Sequence, residues 1–294
     1  MPQICKTNLP VMPSILVVES GSTKTDWCLL AKGKKALHFS TAGINPHLQT
    51  KENILQLLQT ELRWNKKKHH ADKIVYYGAG AGSTAKQKLI AGVLKKHFGI
   101  DKIEVNGDMM AAARALCGTN KGMVSILGTG SNCCYYNGNK IAEQKPSLGF
   151  IAGDEGSGNY IGKRVLQYYA YNTFDAELKL AFEQLFGNDV QAIINKLYAE
   201  PFPNRYLAGF VKLLIDTRGH YMTENIIEDC LNDFFHHHIL KYRNSWKLPL
   251  YFTGSVAYEF RDVIENLCNQ YELELGTIAK SPMDGLMAYH KKQL

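Results

Sequence analysis

Apolar residues fall along this chain in two rhythms, one suited to strands and one to helices. Ile15-Leu16-Val17-Val18 is a short unbroken apolar run, the pattern of a strand buried on both faces. It stops at Glu19-Ser20-Gly21-Ser22-Thr23 and resumes at Asp26-Trp27-Cys28-Leu29-Leu30. That predicts a β-hairpin whose turn is crowded with glycine and hydroxyl groups. Between 51 and 63 the apolar positions Ile54, Leu57, Leu58 and Leu62 recur at helical spacing. Residues 73–77 predict a strand closed by a glycine-rich stretch at 78–82 and followed by a helix over 84–98. Ile103-Glu104-Val105 predicts a further strand, and Asn106-Gly107-Asp108 opens a helix over 109–117.

The same opening device then returns. Val124 to Leu127 reads as a strand, Gly128-Thr129-Gly130-Ser131 as a turn, and Cys133 to Tyr136 as a returning strand ended by Asn137-Gly138. Strand, Gly/Ser/Thr turn and strand thus occur twice, about 108 positions apart, with little identity between the copies, which suggests a duplicated architecture. Residues 158–244 are almost wholly helical in pattern. Residues 250–253 predict a strand running into Gly254-Ser255, and helices over 256–270 and 282–291 complete the reading.

At 294 residues the chain exceeds one ordinary core, so two domains are expected. With 45% hydrophobic and 21% charged residues the composition is that of a globular protein and argues against disorder or low complexity. No stretch approaches the ~18 apolar residues of a membrane span, so no membrane partner is expected. Residues 1–10 lack the apolar core and cleavage site of a secretory leader. The expectation is a cytoplasmic protein, with residues 1–11 a dispensable extension ahead of Met12. Seven cysteines, at 5, 28, 117, 133, 134, 230 and 268, show no C-x-x-C spacing and read as reduced, mostly buried thiols. The net charge of +7 is uneven, since residues 1–116 hold 17 Lys and Arg against 8 Asp and Glu. The densest run, Lys66-Lys67-Lys68-His69-His70, lacks interleaved aromatics and reads as a solvated loop, so no nucleic-acid partner is expected. The surplus can still attract an anionic nucleotide.

Candidate chemistry sits at the turns. Two glycine- and hydroxyl-rich hairpin turns can present backbone amides to phosphate oxygens, because no Cβ blocks the approach. Each is also compatible with a plain hairpin, and neither fits a P-loop or a dinucleotide fingerprint. Asp108, after a strand and at a helix start, is either an N-cap or a carboxylate able to accept a proton from an attacking hydroxyl. Gly149 to Gly158 brackets the adjacent acids Asp154 and Glu155 with glycines. That suits a ligand or metal-water contact as well as a tight turn. His236-His237-His238 on one helix point in different directions, which argues against a shared metal.

Taken in order, ESGSTKTDW (19–27), AGINPH (42–47), GAGAGS (78–83), NGDMMAAARAL (106–116), ILGTGSNC (126–133), GDEGSG (153–158) and TGSVA (253–257) resemble the N-acetylglucosamine kinase family. That family stands with the activator ATPases of benzoyl-CoA reductase in the acetate and sugar kinase/actin superfamily. The resemblance spans residues 14 to 290. It implies an α/β fold of two RNase H-like, actin-like ATPase domains with a cleft between them, at 12–117 for sugar and phosphate and at 118–294 for the nucleotide. A helical insertion falls in the second, and the last helix packs back on the first. It implies ATP and Mg²⁺ as cofactors, a small sugar as substrate and a homodimer as the assembly.

Residue by residue, the resemblance implies that Ser20, Gly21, Ser22, Thr23, Lys24 and Thr25, with Gly128, Thr129 and Gly130, hold the phosphates. Gly254, Ser255 and Ala257 lie near the adenosine. Asp108 is the catalytic base and contacts the substrate, together with Asn45, Ser131, Ser147, Leu148, Gly149 and Asp154. Glu19 reaches the metal through water beside the ATP phosphates. Two positions depart from the commoner pattern: Glu19 stands where the superfamily often has Asp, and Leu148 where the sugar wall can carry Trp. The implied reaction is phosphorylation of the 6-hydroxyl of N-acetylglucosamine or a related amino sugar. The alternatives are a kinase for glucosamine, glucose or N-acetylmuramic acid, a reductase-activating ATPase with an iron–sulfur cluster, and a sugar sensor without activity.

Overall fold

The computed structural model describes residues 13–21 and 23–294. The predicted extension at 1–11, Cys5 and Ser22 lie outside them. The chain forms two compact units, the first running to Ala111 and taking back Met283–Leu294, the second spanning Ala112–Pro282.

In the first unit β1 (Ser14–Ser20) pairs antiparallel with β2 (Lys24–Ala31), and β2 pairs antiparallel with β3 (Leu37–Ala42). β4 (Lys73–Gly78) joins β1 in parallel, and β5 (Ile103–Gly107) joins β4 in parallel, giving the order β3-β2-β1-β4-β5. Because strand side chains alternate, β1, β2 and β4 offer two apolar faces. Leu16, Val18, Trp27, Leu29, Ile74 and Tyr76 face a core completed by α1 (Lys51–Glu61) and α2 (Thr84–Phe98). Cys28 and Tyr77 face the other way, toward α13 (Met283–Lys291), where Cys28 contacts Met287 and the Tyr77 hydroxyl meets His290 Nε2 at 2.9 Å. Both core helices start at a hydroxyl cap, Thr50 for α1 and Ser83 for α2, and α2 stops at left-handed Gly99. The division between the units falls within α3 (Asp108–Cys117).

The second unit repeats the order. β6 (Lys121–Leu127), β7 (Ser131–Asn137) and β8 (Ile141–Gln144) form an antiparallel meander. β9 (Leu250–Thr253) lies parallel to β6, and β10 (Leu275–Ala279) parallel to β9. Numbered within each unit, both sheets therefore run 3-2-1-4-5, the RNase H-like arrangement, and the chain has the two-domain α/β fold of actin-like ATPases. α4 (Gly149–Ala152) follows β8. The helical insertion comprises α5 (Gly158–Ala170), α6 (Ala176–Phe186), α7 (Val190–Ala199), α8 (Pro203–Gly209), α9 (Val211–Asp216) and α10 (Tyr221–His237). Its buried Phe182, Phe210, Phe234 and Phe235 join one core with Phe252 of β9. Each such ring contributes roughly 1.5–3 kcal/mol by leaving water.

Three strands were not evident from the pattern: β3, β8 and β10. All lie at sheet edges, β3 and β8 mostly exposed and β10 at most half-buried, so none carries the apolar alternation of a half-buried strand. The single helix expected over 256–270 is two, α11 (Ser255–Glu259) and α12 (Arg261–Gln270), broken at the buried Phe260. The six cysteines among the described residues are buried and unpaired by disulfides. Among the same residues no helix is long and apolar enough to cross a membrane.

Candidate active site

Parallel strands release the chain at one edge, and it is there that open α/β sheets bind ligands. In the first unit β1 ends at Ser20, β4 at Gly78 and β5 at Gly107. β3, antiparallel to β2, also ends there, at Ala42. Glu19, Ser20, Gly21, Thr23, Lys24, Thr25, Asn45 and Asp108 are therefore gathered at one edge by topology alone.

Hydroxyl groups tie this edge together. Ser20 Oγ lies 2.7 Å from Thr25 Oγ1 across the hairpin, accepts from the Ile44 amide at 2.9 Å and donates to the Ile44 carbonyl at 3.1 Å. Thr25 Oγ1 donates to the Ala42 carbonyl. Ser20 and Thr25 are fully buried, so their side chains couple the turn to the segment carrying Asn45, while Thr23 and Lys24 are exposed. Gly21 keeps the turn tight by donating to the Lys24 carbonyl. Half-buried Asn45 shapes its own loop: its Oδ1 accepts from the His47 amide at 2.9 Å and its amide donates to Gln49 Oε1 at 2.8 Å.

Three carboxylates share this edge. Asp26 pairs with Lys24 at 2.7 Å. Glu19 is pushed up to about 7, first by burial and then by repulsion from Asp26 and Asp108, with Lys24 opposing. Burial raises the Asp108 carboxyl as well, although Oδ1 accepts from the Met109 amide at 2.9 Å. Asp108 thus begins α3 and carries a carboxyl whose proton affinity burial raises. Oxygen-only donors in mutual repulsion fit a hard divalent cation such as Mg²⁺. Among the described residues no three His, Cys, Asp or Glu side chains converge on one metal position.

The second unit builds an equivalent edge at the ends of β6, β9 and β10. The Gly128 carbonyl accepts from the Gly158 amide at 2.8 Å, and the Thr129 carbonyl from the Asn159 amide at 3.1 Å. In a trans peptide the carbonyl and the following N–H point in opposite directions. Pinning both carbonyls on the start of α5 therefore turns the amides of Thr129 and Gly130 away from it, as a phosphate cradle requires. A Cβ on Gly130 would stand 2.9 Å from Asp154 Oδ2 and would make that side chain shift. Gly254 is a glycine of necessity: its φ is +118°, and a Cβ would stand 2.2 Å from the Leu127 carbonyl oxygen. Gly254 thus packs directly behind the second turn, while Ser255 is exposed at the start of α11 and Ala257 is buried.

Asp154 is buried at 8% exposure in a left-handed conformation, φ 62°. Burial raises its carboxyl, against the Asn159 amide group, the Ser131 amide and Lys163. Neighbouring Glu155 meets His238 Nε2 at 2.9 Å. For Glu155 burial favours the neutral acid, but a backbone amide and His238 outweigh it and hold the carboxyl low. His236 instead meets Tyr271, so the histidine run divides its contacts. Ser131 Oγ and Thr253 Oγ1 are buried without partners at the ends of β7 and β9, and both strands flank the end of β6. Ser147 and Leu148 are exposed beside Gly149 and α4, Leu148 at 67%. Burial pushes the Cys117 and Cys133 thiols up to about 12, which opposes the thiolate form that an iron–sulfur cluster needs.

No family model matches the chain. A solved structure from Porphyromonas gingivalis, named as a candidate N-acetylglucosamine kinase, shares 38% identity and a TM-score of 0.88, covering 95% of this chain and 99% of its own. The chain belongs to this family of N-acetylglucosamine kinase-like sugar kinases. The N-acetylmuramic acid/N-acetylglucosamine kinase of Clostridium acetobutylicum is 22% identical over 241 residues, 76% of this chain and 78% of that protein. A ROK family glucokinase from Streptomyces griseus, solved with glucose and AMPPNP, shares the fold at 15% identity and a TM-score of 0.57, covering 95% of this chain and 99% of that one.

For an N-acetylglucosamine kinase-like protein, the residues singled out by motif resolve into two groups. Glu19, Ser20, Gly21, 23–25, Asn45 and Asp108 assemble within the first unit, and 128–131, Asp154 and 254–257 within the second. Ser147, Leu148 and Gly149 follow the edge strand β8 of the second unit. Three contributors were missed by sequence reasoning. Tyr76, fully buried, directs its hydroxyl to the Ile44 carbonyl at 3.4 Å beneath the Asn45 loop. His238 holds Glu155, and Asn159 holds Asp154. Of these only Asn159 carried a signal, since it directly follows GDEGSG.

Proposed function

We propose that the chain transfers the γ-phosphoryl group of ATP to the 6-hydroxyl of N-acetylglucosamine or a closely related amino sugar. The observation that carries this reading is Asp108. It stands where β5 passes into α3, beside the first hairpin turn, with a carboxyl whose proton affinity burial has raised. A base so tuned takes a hydroxyl proton more readily than an exposed Asp.

Asn45 and Asp154 are the proposed sugar contacts, with Ser131, Ser147, Leu148 and Gly149 alongside. Asp108 accepts the proton of the 6-hydroxyl as its oxygen bonds to the γ-phosphorus and the bond from that phosphorus to the β–γ bridging oxygen breaks, leaving ADP. Turn amides at 20–25 and 128–130 stabilise charge on the transferring group. Gly254, Ser255 and Ala257 would lie near the adenosine. Glu19 would hold Mg²⁺ through water, and the ion would supply charge neutralisation on the phosphates. Closer kinship with the activator ATPases of benzoyl-CoA reductase, a cytoplasmic setting and a homodimer belong to the same proposal and rest on the ordered motifs.

N-acetylmuramic acid is the second candidate substrate, because the Clostridium relative is named for both sugars. The test is coupled ADP release with ATP and Mg²⁺ against N-acetylglucosamine, N-acetylmuramic acid, glucosamine, glucose and N-acetylmannosamine. Preference for N-acetylglucosamine supports the proposal, preference for another sugar moves the substrate but keeps the reaction, and sugar-independent release or none refutes it.

A further inference from the structure

One side chain in the second unit touches both halves of the proposed chemistry. Asn159, fully buried in the first turn of α5, sends Nδ2 to the Thr129 carbonyl at 2.6 Å and to Asp154 Oδ2 at 2.8 Å. Thr129 belongs to the turn proposed to hold the phosphates, and Asp154 to the proposed sugar contacts. Both partners of Nδ2 are acceptors, so the carboxamide cannot be reversed without setting oxygen against oxygen. That orientation leaves Oδ1 buried without a partner. A buried unsatisfied acceptor is a cost that a small apolar residue would avoid. The amide is thus retained at a penalty, and what it provides is the pair of bonds made by Nδ2.

We propose that Asn159 is a positioning residue that sets the Thr129–Gly130 peptide and the Asp154 carboxylate against each other, so that nucleotide and sugar are held in a common register. The inference rests on the kinase reading above. With Nδ2 gone, the Thr129 carbonyl keeps only the backbone bond from Asn159, so the Gly130 amide loses part of its orientation. Asp154 loses one of the groups that hold its charged oxygen beside Gly130. Both ligands should feel a single substitution.

The test uses Asn159→Ala and Asn159→Asp in the full chain. Asn159→Ala should raise KM for ATP and for the sugar together, each by about tenfold, the scale of one lost buried hydrogen bond. A purely structural role would lower kcat through fewer active molecules and leave both KM values unchanged, and that result overturns the proposal. Asn159→Asp keeps the shape but, when ionised, sets a second carboxylate beside Asp154. Lower pH favours its neutral acid, whose O–H can donate one of the two bonds. Its KM values should then move back toward wild type relative to the wild-type profile. The groups facing this point are Asp154 and Glu155, Lys163 of α5 and His238 after α10, and wild type measured in parallel subtracts their titration. If Asn159→Ala does not fold, the pH response of Asn159→Asp decides. AMPPNP affinity by calorimetry separates the two readings. Equal affinity in wild type and Asn159→Ala defeats the positioning role, whereas wild type without sugar-stimulated ADP release defeats the kinase reading and leaves the nucleotide comparison valid.

Discussion

Glu19 should make the metal-free first unit less stable as the pH rises, and Glu19→Gln should abolish that loss. In the unfolded chain this carboxyl titrates near its ordinary 4.5, and in the folded unit it is pushed up to about 7, by burial first and by Asp26 and Asp108 after it. The folded state therefore holds the proton more tightly. The stability this provides is complete below about pH 4.5 and is lost as the pH rises through about 7. At about 1.4 kcal/mol per pH unit the full gap is worth at most ~3.5 kcal/mol, less whatever solvent screening removes. Glutamine keeps the volume without the charge. In Mg²⁺-free buffer the stability advantage of Glu19→Gln over wild type should grow by about 2 kcal/mol between pH 5 and pH 8. Urea unfolding followed by tryptophan emission reads this well, because Trp27 and Trp64 belong to the first unit and only Trp246 to the second. An advantage equal at both pH values would refute the argument, since the Glu19 proton would then not differ between the folded and unfolded chain.

Three further outcomes follow from the same geometry. Asp108→Asn should fold, with an unchanged circular-dichroism spectrum, and lose at least ~10²-fold in kcat, the usual general-base contribution; near-normal turnover would remove Asp108 from its role. Gly254→Ala forces a Cβ to 2.2 Å from the Leu127 carbonyl at a φ of +118°. It should cost about 3 kcal/mol or more in unfolding free energy and weaken ATP binding, both measurable by denaturation and calorimetry. Leu148→Ala, at an exposed position, should change stability by less than about 0.5 kcal/mol, so a several-fold rise in sugar KM without a shift in melting temperature would place Leu148 at the sugar.

What could be read from the sequence was what hydrophobic pattern and chain order carry. The central strands β1, β4 and β6 are apolar on both faces and stood out, and the doubled hairpin device foretold the doubled 3-2-1-4-5 sheet. The edge strands β3, β8 and β10 did not, because exposed residues leave no alternation to find. The motif residues came from turns, where glycine and hydroxyl content is visible in one dimension. Their supporting contacts were not visible, since they join positions far apart: Tyr76 to Ile44, and His238 to Glu155 across 83 positions. Nor could sequence foresee that the hydroxyls of Ser20 and Thr25 are committed within the unit, which leaves the hairpin's backbone and its exposed Thr23 and Lys24 as the groups facing outward.

The return of α13 to the first unit governs when that unit can be completed during synthesis. Its sheet offers Cys28 and Tyr77 on a face where Met283–Lys291 supplies Met287 and His290. Those residues follow the whole second unit along the chain. The second unit, by contrast, is one uninterrupted stretch from Ala112 to Pro282 and holds all of its own core. On a ribosome, where domains fold as units as they emerge, the N-terminal half must wait for the partners of Cys28 and Tyr77 while the later half folds. That interval is when a chaperone would be most needed.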